Sequence, residues 1–255
     1  MHRRLALVRR PSPRLAEGLH AAAPVEALDP ELAQRQWVGY LRALQSRGWG
    51  VVEAPPVDSC PDGVFIEDQV FVYGDLALVC RSGAPSRRVE RVGLIDTMRS
   101  LGYRVETVPE SATLDGGDIL KHSGDVWVGV GGRTDDAGFA RLAELLEPLG
   151  VACRPVPTGP ALHLKSAVTA LPDNTLIGWR PALADLAELP RFMSADEPTG
   201  ANVVLLGGSC VLIPESAPVT AERLRARRLD VVTVDIGEFE KLDGGVTCLS
   251  VRLRG

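Results

Sequence analysis

The chain has 255 residues, of which 45% are hydrophobic and 24% charged, a balance typical of a folded protein and not of a disordered one. Its net charge of −5 argues against nucleic acid or an anionic membrane as the main partner. The densest basic group, Arg223, Arg225, Arg227 and Arg228, is typical of a solvated helix face.

The N-terminus is basic, but only residues 5–8 behind it form an apolar run. That run is too short for a signal peptide, and no other run approaches the length of a membrane span. Five widely spaced cysteines without a Cys-x-x-Cys motif favour reduced thiols in a cytoplasmic protein over disulfides or a zinc site. The four histidines share no metal-ligand spacing, so we expect no bound metal.

The first predicted unit is a strand, a turn, a helix and a second strand. The apolar residues 5–8 form the first strand. Asp29 suits the cap of the helix, Pro30 suits its first position, and Gly48 ends it. Apolar residues recur between them at helical spacing: Leu32, Trp37, Tyr40, Leu41 and Leu44. Residues 51–54 form the second strand, which runs into two prolines.

The same order returns along the chain at spacings of roughly 40 to 55 residues, which is the range of repeat architectures. The later copies begin with predicted strands at residues 75–80, 125–130, 175–179 and 210–213. Helical stripes are predicted over residues 89–101, 139–149 and 221–228, and second strands over 104–108, 153–157 and 231–235. The fourth copy, which reaches about residue 197, is degraded. Five units therefore define the predicted fold.

Two other architectures are compatible with this alternation. Five units can stack as an open solenoid, and ordinary α/β alternation predicts a doubly wound sheet. The doubly wound alternative lacks a glycine-rich phosphate loop, because residues 9–13 read Arg-Arg-Pro-Ser-Pro. The positions of the polar residues disfavour it further.

Each unit is followed by a short segment that carries a distinctive polar residue. These segments supply Asp62, Glu67 and Asp68, then Asp115 and Asp118, then His163, then Asn202, and finally Cys248. Repeats arranged around an axis would bring these positions to one end of that axis. Cysteine and histidine together indicate a thiolate nucleophile with a general acid/base. Several carboxylates indicate a cationic substrate, and a planar guanidinium fits two of them through paired hydrogen bonds.

Each of these residues also has a purely structural interpretation. Cys248 follows a Gly-Gly turn at the start of an apolar run, where a cysteine is often an inert core residue. Asp115 and Asp118 stand beside glycines and are compatible with turn formation. His163 lies between two leucines, as a core histidine with satisfied hydrogen bonds would. The agreement of all five units favours a shared pocket.

At these residues the chain resembles the dimethylarginine dimethylaminohydrolase family of the guanidine-modifying pentein superfamily. The matching residues run in order along essentially the whole chain: Leu19, Pro61-Asp62, Phe65-Ile66-Glu67-Asp68, Gly83-Ala84-Pro85-Ser86-Arg87-Arg88, Leu114-Asp115-Gly116-Gly117-Asp118, Gly132-Arg133-Thr134, Leu162-His163-Leu164-Lys165-Ser166, Asn202 and Asp243-Gly244-Gly245-Val246-Thr247-Cys248. The resemblance implies an α/β fold, the pentein α/β-propeller, with five ββαβ-type modules around a pseudo-fivefold axis. It also implies that residues 1–255 form a single catalytic domain with the site at its centre.

The resemblance assigns a role to each residue at the reacting end of the substrate. Cys248 would be the nucleophile and His163 the acid/base. Asp68 and Asp115 would hold the guanidinium, and Glu67 would support His163 or form the pocket wall.

A second group would recognise the amino-acid end. Arg87 and Arg133 resemble a clamp for the α-carboxylate. Asp62 and the backbone of Leu19 resemble contacts for the α-amino group, and Phe65 resembles a packing wall. Two departures from the family pattern, at Val89 and Val203, remove no reacting group but bear on loop mobility or pocket shape.

The implied reaction is hydrolysis of asymmetric dimethylarginine or monomethylarginine to citrulline and a methylamine through a covalent Cys-thiouronium intermediate. The methylated arginine would be the small-molecule partner, and no cofactor or metal would take part. Localisation in the cytoplasm is expected. A homodimer, the physiological role and the preference among dimethyl-, monomethyl- and unmodified arginine are left open.

Three rival functions share the same core. Arginine deiminase and amidinotransferase resemble it, but they are typically longer, with added helices or loops. A non-catalytic pentein, such as the translation initiation factor that binds ribosomal subunits, should lack the set of cysteine, histidine and carboxylates. That set is complete in this chain.

Overall fold

The computed structural model describes residues 4–20, 26–183 and 191–254. In chain order its strands are β1 (Arg4–Val8), β2 (Gly50–Glu53), β3 (Val70–Tyr73), β4 (Leu76–Val79), β5 (Arg104–Thr107), β6 (Ile119–His122), β7 (Asp125–Val130), β8 (Cys153–Pro157), β9 (Val168–Ala170), β10 (Leu176–Gly178), β11 (Phe192–Ser194), β12 (Val204–Gly207), β13 (Cys210–Pro214), β14 (Asp230–Val234) and β15 (Val251–Arg254). Its α-helices are α1 (Pro30–Gln45), α2 (Leu94–Ser100), α3 (Asp136–Leu146), α4 (Leu164–Ala167), α5 (Pro218–Ala226) and α6 (Gly237–Glu240).

Within the described ranges the strands form five sheets of three strands each, which confirms the five predicted modules. In every sheet the central strand pairs antiparallel with one neighbour and parallel with the other. Helices α1, α2, α3 and α5 each connect the two parallel strands of one sheet. The corresponding connection of the fourth module includes residues 184–190, so part of the predicted fourth copy lies outside the described residues.

The first module is completed by the far end of the chain. Strand β15 pairs antiparallel with β1, with Leu5 opposite Leu253, while β1 pairs parallel with β2. In the other four modules, the polar segments recognised in the sequence lead directly into the first strand. The repeating unit is therefore strand, strand, helix, strand, as the resemblance implies.

Helix α1 forms as its sequence signals predict. The carboxylate of Asp29 accepts hydrogen bonds from the backbone N–H groups of Glu31 and Leu32, at 2.9 and 3.0 Å. Pro30 begins the helix, where its missing N–H costs nothing. The buried face carries residues three or four apart, Ala33, Trp37, Tyr40 and Leu44. Gly48 follows the helix in the left-handed conformation, with φ 78°.

The helical stripe predicted over residues 89–101 is only half right. The segment Pro85–Arg91 is a 3₁₀ helix, and α2 begins after Gly93, whose φ of 78° lies in the left-handed region. Val89 and Val92 are consequently exposed, whereas Leu94 and Met98 are fully buried. Gly93 separates the two helical segments. Their apolar residues recur at helical spacing in the sequence, but those of the first segment face solvent and those of α2 face the core.

The first strands of the five modules surround an axial cavity of about 220 Å³. Its apolar walls come from all five sheets and include Val70, Leu120, Ala170, Val203 and Val251. Val203, one of the departures from the family pattern, is 3% exposed and belongs to this wall. The cavity and the ring of sheets around it place the five polar segments at one end of a common axis.

The predicted surface features agree with the structure. Arg223, Arg225 and Arg227 pair with Asp196, Glu222 and Asp173 on exposed surface. The five cysteines are free thiols. Within the described ranges, every helix is too short or too polar to cross a membrane.

Candidate active site

The five polar segments occupy equivalent places, each just before the first strand of a module. The segments are the 3₁₀ helix Ile66–Gln69 before β3, the 3₁₀ helix Gly116–Asp118 before β6, α4 before β9, the 3₁₀ helix Pro198–Ala201 before β12 and the turn at residues 243–250 before β15. Hydrogen bonds between neighbouring segments join them into one ring. The fold therefore brings the five polar segments together at one end of the axis, as predicted.

His163 lies in the most acidic part of this ring. Its Nε2 is 3.1 Å from Oδ2 of Asp115, and its Nδ1 is 3.8 Å from Oδ1 of Asp68. Asp118 lies behind it and accepts a hydrogen bond from the backbone N–H of Leu164, the first residue of α4. All three carboxylates are almost completely buried.

These carboxylates set the protonation of His163. Burial opposes the imidazolium, but the charge of Asp68 and the hydrogen bond with Asp115 outweigh it and raise the pKa of His163 to about 9. Burial raises the pKa of Asp118 to about 6, against the opposing effects of His163 and Thr134. At neutral pH His163 therefore carries a proton that it can donate.

Asp115 contacts protein groups through both of its carboxylate oxygens. Its Oδ1 accepts from the backbone N–H of Gly83 at 2.9 Å, and its Oδ2 accepts from Ser82 Oγ at 3.2 Å and faces His163. Three protein groups thus engage a carboxylate that the resemblance assigned to the guanidinium. Its predicted contact with the guanidinium stays a prediction.

Asp68 is held by two donors. Its Oδ2 accepts from Arg87 Nη1 at 2.7 Å, and its Oδ1 accepts from the backbone N–H of Gly117 at 3.1 Å. Burial opposes ionisation, but His163 and Arg87 outweigh it and lower the pKa of Asp68. An ionised carboxylate with two donors retains lone pairs for a cationic ligand.

Glu67 is paired with two cations. Its Oε1 lies 2.7 Å from Lys165 Nζ and 3.1 Å from Arg252 Nη2. The second oxygen, Oε2, is buried and has no hydrogen-bond partner among the described residues. Glu67 also lines the axial cavity. Its predicted role, support of His163 or part of the pocket wall, stays a prediction.

Cys248 lies in the turn at residues 243–250, and β15 begins three residues after it, at Val251. Its Sγ accepts a hydrogen bond from the backbone N–H of Gly245 at 3.4 Å. Its carbonyl accepts from the backbone N–H of Glu67 at 3.2 Å, which places the turn against the 3₁₀ helix that carries Asp68. The cysteine thus stands at the approach to a strand, as predicted.

The two glycines of this turn serve close packing. The residue with a left-handed backbone is Asp243, with φ 57°, whereas Gly244 and Gly245 have negative φ. A Cβ on Gly244 would lie 2.4 Å from the ring of Phe65. Phe65 in turn packs edge-to-face on Phe239, with ring centroids 6.3 Å apart. Phe65 therefore packs against the turn that carries Cys248, and its predicted role as a wall for the substrate stays a prediction.

The surroundings of Cys248 favour the neutral thiol by raising its pKa. Burial raises its pKa to about 12, and the negative charges of Glu67 and Asp68 act in the same direction. The hydrogen bond from Gly245 and the charge of Lys165 oppose this rise without overcoming it. Formation of a thiolate therefore requires additional positive charge near Sγ.

The residues predicted for the amino-acid end lie on one side of this ring. Asp62 is buried, and its Oδ1 accepts from the backbone N–H of Leu19 at 2.9 Å. Arg133 is half-buried, and its Nη1 has no hydrogen-bond partner among the described residues. A buried guanidinium nitrogen without an acceptor is suited to an anionic ligand group.

Arg87 differs from Arg133 because protein atoms already surround it. Besides Asp68, it donates to both oxygens of Glu90, at 2.9 and 3.0 Å, and to the carbonyl of Phe65 at 3.2 Å. Burial opposes its charge, but Asp68 and Glu90 outweigh it and raise the pKa of Arg87. Its predicted contact with an α-carboxylate stays a prediction.

Sequence reasoning missed two members of this network. Glu90 anchors Arg87, and the Arg-x-x-Glu spacing of the two residues was the available signal. Thr134 donates to Asp118 at 2.7 Å and accepts from the backbone N–H of Asp115 at 3.2 Å. Because Thr134 follows Arg133 in the chain, these bonds connect the segment of Arg133 to the pocket of His163. Thr134 is part of the segment Gly132-Arg133-Thr134 that matches the family, but no role was predicted for it.

One group of atoms in the site also has the spacing of a metal centre. Ligand atoms of Asp68, Asp115 and His163 all lie within 4.8 Å of one another. Arg87 and the imidazolium already balance this negative charge. The prediction that no metal takes part stays a prediction.

No protein-family model matches the chain. The chain is 54% identical over 250 residues to N(G),N(G)-dimethylarginine dimethylaminohydrolase of Streptomyces coelicolor, an alignment that covers 98% of this chain and 96% of the relative. The chain belongs to the dimethylarginine dimethylaminohydrolase family. The resemblance drawn from the sequence is thereby confirmed.

Solved structures of the dimethylarginine dimethylaminohydrolase family share the fold. The enzyme of Pseudomonas aeruginosa, as a cysteine-to-serine mutant complexed with citrulline, superposes with a TM-score of 0.90 at 28% identity, covering 99% of this chain and 100% of that chain. A histidine-to-glycine variant in an adduct with S-methyl-L-thiocitrulline gives the same TM-score, identity and coverage. The predicted pentein architecture is confirmed by these likenesses.

Proposed function

We propose that the chain hydrolyses N-omega-methylated arginines, with asymmetric dimethylarginine and monomethylarginine as substrates, to citrulline and the corresponding methylamine. The observation that carries this proposal is the arrangement of a neutral thiol and a protonated imidazole on either side of one 3₁₀ helix. Glu67 of that helix contacts Cys248 through its backbone, and the next residue, Asp68, faces His163. Membership of the dimethylarginine dimethylaminohydrolase family supports the reaction.

The substrate is proposed to bind across the ring. Its guanidinium faces the ionised Asp68 and the unpartnered oxygen of Glu67. Its α-carboxylate takes the unpartnered nitrogen of Arg133, and its α-amino group takes Asp62 and the backbone of Leu19. Opposite charges at the two ends of the site fix the direction of the substrate.

The bound guanidinium supplies the charge that ionises Cys248. Burial and two carboxylates raise the pKa of the thiol to about 12. A cation bound beside Glu67 and Asp68 cancels their effect and favours the thiolate, which releases its proton to solvent. The nucleophile thus forms where the electrophilic carbon already lies.

The reaction proceeds in two halves. The Cys248 thiolate adds to the guanidinium carbon, the carbon–nitrogen bond breaks, and the departing amine takes the proton of His163. A thiouronium remains on Sγ. Neutral His163 then takes a proton from water, and the oxygen adds to the same carbon. The carbon–sulfur bond breaks, the hydroxyl proton passes to the departing sulfur, and citrulline and the Cys248 thiol remain. Asp115 holds the imidazole in register through both halves.

The proposal extends to the domain organisation, localisation and oligomeric state of the protein. Residues 1–255 act as a single catalytic domain in the cytoplasm, without nucleic acid or a cofactor, and homodimer formation is open. Apolar surface is limited to separated side chains such as Val89, Val92 and Val219 within the described ranges. Sedimentation of the purified chain with and without substrate measures its oligomeric state.

The direct test compares asymmetric dimethylarginine, monomethylarginine and arginine in one citrulline assay, with Cys248→Ser as the blank. We expect the two methylated substrates to be turned over and the variant to be inactive. Faster citrulline release from arginine than from either methylated substrate would identify an arginine deiminase instead. Absence of citrulline from all three would refute a hydrolase that forms citrulline.

A further inference from the structure

The side chain of Asn202 connects the turn of Cys248 to the helix that follows His163. Its Oδ1 accepts from the backbone N–H of Thr247 at 2.8 Å, and its Nδ2 donates to Thr247 Oγ1 at 3.1 Å. The same Nδ2 donates to the carbonyl of Lys165 at 2.9 Å. Both N–H donors and the carboxamide oxygen are therefore in use.

The two bonds to Thr247 hold both the peptide and the side chain of the residue that precedes Cys248. The bond to Lys165 holds α4, whose first residue follows His163. Asn202 is 4% exposed and Thr247 is 2% exposed, so water does not compete for these bonds. One carboxamide thus ties together the two segments that carry the reacting groups.

The backbone of Asn202 is itself anchored on both sides. Thr169 Oγ1 donates to the carbonyl of Ala201 at 2.7 Å and accepts from the backbone N–H of Val203 at 3.1 Å. A Cβ on Gly245 would lie 2.5 Å from the carboxamide, so Asn202 packs directly under the residue whose N–H holds Sγ of Cys248. The carboxamide is a fixed support for that turn.

We infer that Asn202 is a positioning residue for the reaction, one that sets the placement of Cys248 Sγ relative to His163. The inference rests on the proposed nucleophile role of Cys248. Among the described residues one hydrogen bond holds Sγ, so its position depends on the turn beneath it. A displacement of about 1 Å between reacting groups can lower a rate by roughly 10²-fold.

The test is the kinetics of Asn202→Ala. We expect kcat to fall by roughly 10²-fold, because the loss of position affects the attack. KM should change by less than about threefold, because the groups that bind substrate are untouched. Rapid quenching followed by intact-protein mass spectrometry should show slower formation of the thiouronium adduct.

A matched variant separates positioning from general loss of stability. Leu146→Ala truncates a fully buried residue on α3, which packs in the core of the third module and belongs to no part of the site. It should lower the melting temperature at least as much as Asn202→Ala and leave kcat within about twofold, since cavity formation destabilises without moving the turn. An equal loss of kcat in both variants would overturn the inference.

A more conservative substitution covers the case in which Asn202→Ala does not fold. Asn202→Asp keeps the shape of the side chain and an acceptor for Thr247 N–H, but it removes the donor to Lys165. We expect kcat to fall with KM nearly unchanged, while Thr247→Val, which loses only the bond to Oγ1, shows a smaller fall. Parental kcat in Asn202→Asp would refute the inference.

The parallel measurement of Cys248→Ser separates this inference from the proposed function. Turnover by Cys248→Ser would reject the nucleophile and with it the basis of both. An inactive Cys248→Ser together with fully active Asn202 variants would reject only the positioning role.

Discussion

The turn that carries Cys248 and the pocket around His163 adjoin the same 3₁₀ helix. The first environment favours a neutral side chain, whereas the second favours a charged one. A single backbone N–H donates to the thiol, and burial raises its pKa to about 12. At His163 burial acts against protonation, but the carboxylates of Asp68 and Asp115 prevail and raise the pKa to about 9. In the proposed mechanism His163 is therefore protonated before the substrate binds, whereas Cys248 loses its proton only when the cationic substrate is bound.

Cys248→Ser tests the first half of this comparison and should have the largest effect. A hydroxyl in the same turn is a far weaker nucleophile, so we expect turnover to fall by roughly 10³-fold or more. The fold and the affinity for substrate should be retained, since Sγ makes one hydrogen bond within the part of the chain that the structure describes. Citrulline production and equilibrium binding measure the two. Citrulline production at more than a few per cent of the parental rate would show that Cys248 is not the nucleophile.

His163→Asn tests the second half. Loss of the acid/base should lower turnover by roughly 10² to 10⁴-fold, because the leaving amine no longer receives a proton. Mass spectrometry of the intact protein should show either an adduct that persists on Cys248 or no reaction. Normal multiple turnover would mean that another group transfers the proton.

Arg133→Ala removes a group that lies in neither region. Loss of one charged hydrogen bond costs about 1.5–3 kcal/mol, so KM should rise by roughly one to two decades with kcat nearly unchanged. The matched control is Arg154→Ala, which removes an exposed arginine of the same module and its ion pair with Asp125. It should change neither KM nor kcat.

A truncated substrate sharpens the result for Arg133. A methylguanidine without the amino-acid end should be processed almost equally poorly by the parent and by Arg133→Ala. If Arg133→Ala loses as much activity on the truncated substrate as on the full one, the carboxylate contact is wrong.

The pH dependence of the rate follows from the two raised pKa values. The reactive form of the enzyme has a Cys248 thiolate and a protonated His163. Their pKa values are about 12 and about 9, respectively. The fraction of enzyme in the reactive form therefore grows with pH until His163 begins to lose its proton. We expect kcat/KM to rise about tenfold per pH unit from neutral pH and to level near the pKa of His163. A flat profile over this range would indicate a thiol that ionises without substrate.

The stability of the fold should show the smallest effect. The pKa of His163 is raised from its ordinary value of 6.5 to about 9, so its stabilising contribution is complete below 6.5 and is lost as pH rises through 9. Each pKa unit corresponds to about 1.4 kcal/mol, and the melting temperature should fall by several degrees over this interval. His163→Asn should lack this component of the fall. Identical pH profiles for the two proteins would contradict the acidic environment of the imidazole.

Much of the fold follows from local pattern, because periodicity and capping are properties of neighbouring residues. The signals of Asp29, Pro30 and Gly48 predict α1 to within a few residues. The repeated order of strand and helix predicts five modules, and the polar residue after each module predicts which groups meet at the axis. The types of chemistry, a thiol, an imidazole and several carboxylates, were therefore determined by the sequence alone.

The pairing of those groups was decided by the tertiary structure. Glu67 is separated by 185 residues from Arg252, one of its partners, and the choice of that partner depends on distances that only packing sets. The same holds for β15, which completes the first sheet from the opposite end of the chain. Gly245 shows the reason most directly. The sequence marks it as a turn residue, but its missing Cβ is required by Asn202, which reaches it only when two modules pack together.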